Sequence, residues 1–193
     1  RMYYRYTPAL SECDSPLLVI LHGHSYNAKP SKYKNNNLNV LAPIDNFGVN
    51  NCGSWWLGEN GDFFVKDMLH ALVKEKLMAS NSVLLFWGSS MGGFGAILHS
   101  ILLKANAAYA NIPQIKLINS TYSNKGMNKF FMPIFEDDKE SIYNDLTNLL
   151  EVKSREIEAK EFPLFFIAQS RYDYENYLEE QSLYFFKKCL ELK

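Results

Sequence analysis

The sequence has little cysteine, no long hydrophobic run and no excess of charge of one sign. Its three cysteines, Cys13, Cys52 and Cys189, are far apart and form no CxxC pair, which argues against a disulfide framework or a zinc site. No window of about 18 apolar residues occurs, so no membrane span is predicted. Twenty basic and twenty-one acidic side chains give a net charge of -1, without the basic patch that binds nucleic acid. We therefore expect a cytoplasmic protein without a metal site or a nucleic-acid partner.

The composition predicts one globular domain. The 193 residues are 47% hydrophobic and 21% charged, which suits a single folded unit and is too short for two full domains. The chain begins at Arg1 rather than at methionine and ends inside an apparently helical segment. We therefore expect one domain over residues 1–193 that has been cut from a longer chain at its C-terminal end.

Apolar runs alternate with helical patterns along the chain. Runs of this kind are typical of strands buried on both faces of a parallel sheet, and ligands then bind at the carboxyl ends of the strands. The predicted strands are 16–21, 38–42, 83–87, 107–112 and 163–168. The predicted helices are 62–76 with Asp62 as N-cap, 91–104, a charged helix near 139–158, and 177–192. Residues 113–160 resemble a cap or lid insertion.

A serine lies at a sharp turn between the third predicted strand and its helix. Residues 88–92 read GSSMG and match the G-x-S-x-G nucleophile elbow, in the strand-turn-helix context that this motif requires. Ser90 is the predicted nucleophile, and the N–H of Met91 is the predicted first donor to an oxyanion. The alternative is a glycine-rich turn that only lets the helix approach the sheet.

A second motif follows the first predicted strand. His22 and Gly23 stand where α/β-hydrolases carry an HG-type loop that supplies another oxyanion N–H. The sequence resembles the α/β-hydrolase superfamily over nearly its whole length. This resemblance implies an α/β fold with a mostly parallel central sheet flanked by helices, a cap-like insertion and a last strand missing from this chain. It also implies that Gly23 and His24 line the oxyanion hole, and that His22 braces the loop.

Three segments extend the resemblance. Residues 42–48, 53–61 and 88–93 resemble the α/β-hydrolase-like proteins of bacterial capsule polysaccharide biosynthesis, some of which are O-acetyltransferases. The resemblance implies a carbohydrate or another small ester as substrate. Acetyl-CoA would serve as the donor co-substrate of a transferase, and no other cofactor is predicted.

The sequence contains a candidate catalytic acid, but no histidine at the position where the family carries the catalytic base. Asp173 follows the last predicted strand, where α/β-hydrolases carry the carboxylate that orients the catalytic imidazole; the alternative is that Asp173 caps the next helix. The family order places the histidine after this acid, yet the last histidine of the sequence is His99. We expect the natural chain to supply the histidine beyond Lys193, and the 193 residues alone to be nearly inactive.

The loop 45–61 holds the candidate substrate-binding residues. Trp55 and Trp56 could form a platform for a sugar ring, with Asn46 and Glu59 bonding to its hydroxyls. The alternative is that one tryptophan lies in the core and the other packs the loop.

Two hypotheses of function follow. The first is serine-dependent acyl transfer on an ester or thioester, by a carbohydrate O-acetyltransferase or O-acetylesterase of surface polysaccharide synthesis. The second is a non-catalytic glycan-binding or scaffold module that keeps the fold and lacks the histidine. The sequence does not decide whether the enzyme is a transferase or a hydrolase, and it does not give the oligomeric state.

Overall fold

Six strands form one sheet in the computed structural model, which describes residues 1–77, 83–136, 138 and 141–192. The strand order is β1-β3-β2-β4-β5-β6, with β1 antiparallel to β3 and every other pair parallel. The strands are β1 Tyr3–Thr7, β2 Leu17–Leu21, β3 Asn39–Ile44, β4 Leu84–Ser89, β5 Ala107–Asn111 and β6 Leu164–Ala168. The predicted fold class is confirmed. The one strand that was not predicted is β1, whose YYRYT sequence contains no apolar run.

Five α-helices accompany the sheet within the described ranges. They are α1 Phe64–Lys76, α2 Met91–Leu102, α3 Asn128–Phe135, α4 Leu146–Ser154 and α5 Tyr184–Glu191. The charged helix predicted near 139–158 corresponds to α4, and residues 139 and 140 lie outside the described part of the chain. The C-terminal helix is confirmed, with a wider π-helical turn at Leu178–Leu183 before α5.

The predicted N-cap of α1 is wrong. The cap position is occupied by Phe63, with no side-chain hydrogen bond, and not by Asp62. The backbone of Asp62 instead pairs with Glu59, with N···O distances of 3.1 and 2.9 Å in the two directions. This small bridge closes the loop before the helix, and Asp62 lies one residue before the cap position of α1.

The helices cover one face of the sheet. A hydrogen bond between the rings of His70 and His99 joins α1 to α2 on this face. Phe165 of β6 contacts Phe185 of α5 edge to face. On the opposite face the crossover from β2 to β3 contains no helix, and side chains on neighbouring strands remain exposed. These side chains are Trp87, Tyr109, Leu164 and Phe166. The expectation that the run 83–87 is buried on both faces is therefore wrong for Trp87.

The segment 113–160 adds buried side chains to the main core. Ile115, Leu117, Phe131, Phe135 and Leu149 are all fully buried within the same cluster as the sheet residues. Its role as a cap stays a prediction. Among the described residues, no helix combines the length and the apolar character that crossing a membrane requires.

Candidate active site

The turn after β4 holds Ser90 in an unusual backbone conformation. Ser90 has φ 55° and ψ −119° and is the residue immediately before α2. Its N–H donates to the carbonyl of Asn111 on the next strand at 2.9 Å. A non-glycine residue at such angles is strained, and the strain persists only where surrounding structure holds it. The turn thus projects a serine side chain from the carboxyl end of a central strand.

The glycines on either side of Ser90 are required by close backbone contacts. A Cβ atom on Gly88 would lie 2.0 Å from the carbonyl oxygen of Gly92. A Cβ atom on Gly92 would lie 2.1 Å from the carbonyl oxygen of Leu21 on the neighbouring strand. Backbone atoms on both sides leave no room for a larger residue, so the G-x-S-x-G spacing has a direct steric cause here.

Ser90 has a side-chain partner that the sequence did not indicate. The Oγ atom of Ser90 accepts a hydrogen bond from Nε2 of Gln114 at 3.0 Å. The same Nε2 donates to the hydroxyl of Tyr177 at 2.8 Å, and Oε1 of Gln114 accepts from the indole N–H of Trp55 at 3.1 Å. Gln114 is 2% exposed. The only sequence signal was a polar residue in the apolar run 112–115 just after β5.

The predicted oxyanion donors lie around this serine. A Cβ atom on Gly23 would lie 3.2 Å from the carbonyl oxygen of Ser89 and 3.8 Å from Cβ of Ser90, so the loop after β2 passes next to the turn. Met91 is the first residue of α2, where an N–H has no acceptor within the helix and the helix dipole favours negative charge. The assignment of Gly23, His24 and Met91 to an oxyanion hole stays a prediction.

His22 serves as a brace. Its Nε2 accepts a hydrogen bond from the backbone N–H of Asp45 at 2.9 Å, so this nitrogen carries no proton. Its Nδ1 is 2.7 Å from the carbonyl of Gly23 and therefore donates to it. Burial lowers the pKa of His22, in keeping with a neutral ring. Because both ring nitrogens are engaged, His22 has no lone pair with which to accept a proton from Ser90.

The ring of His24 is packed between aromatic side chains. It stacks on Trp55 with ring centroids 5.2 Å apart and meets Phe130 edge to face at 4.5 Å. Its Nε2 is buried and has no hydrogen-bond partner among the described residues. Burial, and after it the charge of Lys129, lower the pKa of His24. This nitrogen is therefore a buried polar atom whose hydrogen-bonding capacity is not used by the described residues.

The other two histidines lie away from the turn. Nε2 of His70 is 3.0 Å from Nδ1 of His99, whose Nε2 donates to the carbonyl of Trp56 at 3.1 Å. Within the described part of the chain, none of the four histidines is hydrogen-bonded to Ser90 or to Asp173. An imidazole base is thus not assembled at the serine.

Asp173 lies in the loop after β6, as its position in the sequence implies. Its Oδ2 accepts hydrogen bonds from the side chain of Gln169 and from the N–H of Ser170, the latter at 3.2 Å. Burial raises the pKa of Tyr177, which is the hydrogen-bond partner of Gln114, and the charge of Asp173 acts in the same direction. Its role as the catalytic acid stays a prediction.

The tryptophan platform is not present. Trp55 and Trp56 are both fully buried, so neither indole offers a face to a sugar ring, and the expectation that they stack on substrate is wrong for this conformation. The cause is Asp45, a buried carboxylate that accepts hydrogen bonds at 2.8 Å from the N–H groups of Ser54 and Trp56. Both tryptophans have positive φ, and this compact loop turns the indoles inward.

The two polar residues predicted to bind substrate differ in their environments. Glu59 accepts a hydrogen bond from the N–H of Gly48, so its carboxylate holds the loop together. Asn46 is partly buried, and its Oδ1 has no hydrogen-bond partner among the described residues. Asn46 therefore remains a candidate for binding a ligand, whereas Glu59 has a structural partner.

In the described ranges no group of three or more His, Cys, Asp and Glu side chains is placed to hold a metal. A cavity of about 210 Å³ lies beside the turn. Its lining includes His22, Gly23, Lys29, Trp87 and Ser89.

Known structures share this fold. The S-formylglutathione hydrolase of Agrobacterium tumefaciens matches 98% of this chain and 77% of its own, with 19% identity and a TM-score of 0.66. A mutant of the capsule O-acetyltransferase of Neisseria meningitidis serogroup A in complex with CoA matches 99% and 79%, with 17% identity and a TM-score of 0.68. The Gap123 glycosylation-associated protein complex of Streptococcus agalactiae matches 98% and 37%, with 17% identity and a TM-score of 0.67.

These likenesses establish the fold. The chain has the α/β-hydrolase fold, and proteins that share it include S-formylglutathione hydrolases and a capsule O-acetyltransferase. No protein-family model and no curated protein sequence matches the chain significantly.

Proposed function

We propose that this protein is a serine-dependent acyl-transfer enzyme acting on an ester or thioester, with Ser90 as nucleophile. The observation that carries the proposal is the backbone of Ser90, which has φ 55° at the junction of β4 and α2 between two glycines that tolerate no side chain. Strain of this kind is concentrated at functional sites. The fold shared with esterases and an acetyltransferase is the supporting comparison.

The proposed reaction has two steps. Oγ of Ser90 gives its proton to a base and forms a bond to the acyl carbon, whose carbonyl oxygen becomes an oxyanion held by the N–H groups of His24 and Met91. The carbon then releases an alcohol or thiol, which takes up the proton, and leaves an acyl-serine. Water or a sugar hydroxyl attacks this ester next and loses its proton to the base. The acyl–Oγ bond then breaks, Oγ of Ser90 takes up that proton, and a free acid or an acylated sugar is released.

The base is the group to be identified by experiment. His22 has both ring nitrogens engaged, and His70 and His99 bond to each other. Two candidates for the base remain within the proposal. One is a histidine that follows Asp173 in the natural chain, as the family order implies, and the other is His24, whose Nε2 has no hydrogen-bond partner among the described residues. Substitution of His24 by alanine distinguishes the two candidates, because it removes the base only if His24 is that base.

A carbohydrate is the proposed acyl acceptor. The resemblance to capsule biosynthesis proteins motivates it, and the capsule O-acetyltransferase among the similar structures supports it. The buried, unpartnered Oδ1 of Asn46 and Nε2 of His24 are polar atoms that a hydroxyl-bearing ligand could bond. In this proposal acetyl-CoA is the donor of a transferase, and water replaces the sugar in an esterase.

A fluorophosphonate probe tests the nucleophile directly. The full natural chain should be labelled, Ser90→Ala should abolish labelling, and Ser89→Ala should retain it. Ser89 is a matched control because it is adjacent in sequence, and its Oγ accepts a hydrogen bond from Asn111. Equal labelling of both variants would reject Ser90 as the nucleophile.

A non-catalytic glycan-binding or scaffold role is the second candidate. It is favoured by one observation, that no imidazole is hydrogen-bonded to Ser90 among the described residues, and the similar Gap123 complex supplies a comparison. This role predicts glycan binding that is unchanged in Ser90→Ala, together with no labelling of the full natural chain.

A further inference from the structure

We infer that Gln114 is a catalytic residue that donates a hydrogen bond to Oγ of Ser90, and that Trp55 and Tyr177 are positioning residues that fix the orientation of its amide. This inference rests on the proposed function. Three hydrogen bonds between 2.8 and 3.1 Å connect the four side chains. Gln114 and its two positioning residues are all buried, so water does not compete for these bonds.

The partners of Gln114 determine which way its amide points. The indole N–H of Trp55 is only a donor, so the atom that faces it at 3.1 Å must be the amide oxygen. The NH₂ group therefore faces Ser90 and Tyr177 and uses one hydrogen for each. If the amide were reversed, its NH₂ group would face the indole N–H of Trp55, so that two donors would face each other. The hydroxyls of Ser90 and Tyr177 would then lose their donor.

The hydroxyl of Tyr177 reinforces this direction. Burial raises the pKa of Tyr177, so its phenol stays protonated. Its hydroxyl is 3.3 Å from the carbonyl of Ile112, to which it donates, and its oxygen accepts from Gln114. The donors of Trp55, Gln114 and Tyr177 in this chain of bonds thus all have acceptors.

The bond from Gln114 favours attack by the serine. A hydroxyl has one hydrogen and two acceptor lone pairs. Because Gln114 occupies one lone pair, the hydrogen of Ser90 is left for the base and the second lone pair for the acyl carbon. As the proton leaves, negative charge develops on Oγ and the N–H···O bond becomes charge-assisted and stronger. The same holds when Oγ departs from the acyl-enzyme, so both steps benefit.

The test uses Gln114→Met, which keeps the length of the side chain and removes the donor. Hydrogen bonds to charged groups contribute about 1.5 to 3 kcal/mol, so the labelling rate by fluorophosphonate should fall about 10- to 100-fold per folded molecule. In turnover, kcat should fall with KM unchanged, because Gln114 touches Oγ and not the substrate.

Gln114→Glu supplies a readout that a structural role would not affect. An ionised carboxylate accepts and cannot donate to Oγ, whereas a protonated carboxyl donates again, and burial raises the pKa of a carboxyl. The rate of Gln114→Glu relative to the wild type should therefore increase as the pH falls. Trp55→Phe should slow labelling as well, because the amide of Gln114 then loses the hydrogen bond that fixes its orientation.

Gln181→Met is the matched control. Gln181 is also a fully buried glutamine, but it accepts from the N–H groups of Ile115 and Lys116 and does not contact Ser90. Because these N–H groups directly follow Gln114, substitution of Gln181 should lower stability and slow labelling per folded molecule less than Gln114→Met does.

The outcomes are separable. Labelling of wild type and Gln114→Met at equal rates would overturn the inference alone, as would equal slowing by Gln181→Met or a pH-independent rate ratio for Gln114→Glu. A wild-type chain that is not labelled at all would contradict the proposed function, and this inference with it.

Discussion

The backbone N–H of Asp45 donates a hydrogen bond to Nε2 of His22 at 2.9 Å. This bond ties the end of β3 to the loop after β2, and it consumes the only lone pair of a ring whose other nitrogen donates to Gly23. His22, which directly precedes the predicted oxyanion residues Gly23 and His24, is thereby a structural residue. A buried N–H that loses such an acceptor costs about 1 to 3 kcal/mol.

His22→Ala should accordingly lower the free energy of unfolding by about 1 to 3 kcal/mol and leave fluorophosphonate labelling per folded molecule largely intact. Urea unfolding and probe labelling of the same sample measure the two effects. A His22→Ala protein with unchanged stability and no labelling would instead identify His22 as the base.

Acid should destabilise the fold through the bonded pair of histidines. Burial, and after it the charge of Lys66, lower the pKa of His70 to about 4. Burial also lowers the pKa of His99 well below its ordinary value. Both rings are neutral in the folded protein at pH 7. From about pH 6.5 down to about 4 the unfolded chain binds more protons, so the free energy of unfolding falls as the pH falls through this window.

Urea midpoints at several pH values between these limits measure that loss. His70→Gln removes one titrating ring and should make the midpoint depend less steeply on pH. A midpoint that rises on acidification, or a slope that is the same in wild type and variant, would contradict the assignment.

Gly92→Ala should disrupt the turn. The added Cβ would lie 2.1 Å from the carbonyl oxygen of Leu21, so backbone must move, at a cost of about 3 kcal/mol or more. Gly126→Ala is the control, since a Cβ there meets nothing within 4 Å and only its positive φ is unfavourable. Thermal unfolding of both variants gives the comparison, and equal losses would remove the steric argument.

Substitution of Trp55 should affect all substrates alike. Because Trp55 is fully buried and bonds to Gln114, Trp55→Phe should slow turnover of a small activated ester and of a glycan acceptor by similar factors. Steady-state kinetics on both substrates decide this. A loss confined to the glycan would restore the stacking role that the sequence suggested.

Features encoded locally were predictable from the sequence. Continuous apolar runs identify β2 and β4, and the five residues GSSMG mark the turn around Ser90, because each of these signals lies within a short segment of the sequence. By contrast β1 has no apolar run, and it is a strand through its pairing with β3.

Features built by distant contacts were missed. Gln114 is 24 residues from Ser90, 59 from Trp55 and 63 from Tyr177, so no local pattern links them. The composition of the tryptophan loop fits a binding surface and a buried loop equally well. What decides between them is the carboxylate of Asp45, whose bonds to Ser54 and Trp56 arise only in the folded chain.

An acyl-enzyme on Ser90 is the most direct test of the account. The full natural chain is incubated with an acetyl donor such as acetyl-CoA or an activated acetyl ester, quenched in acid, and examined by intact-protein and peptide mass spectrometry. The account predicts the addition of one acetyl group, located on Ser90, lost on addition of an acceptor and absent from Ser90→Ala. Acetylation that persists in Ser90→Ala, or turnover of the ester without any dependence on Ser90, would contradict it.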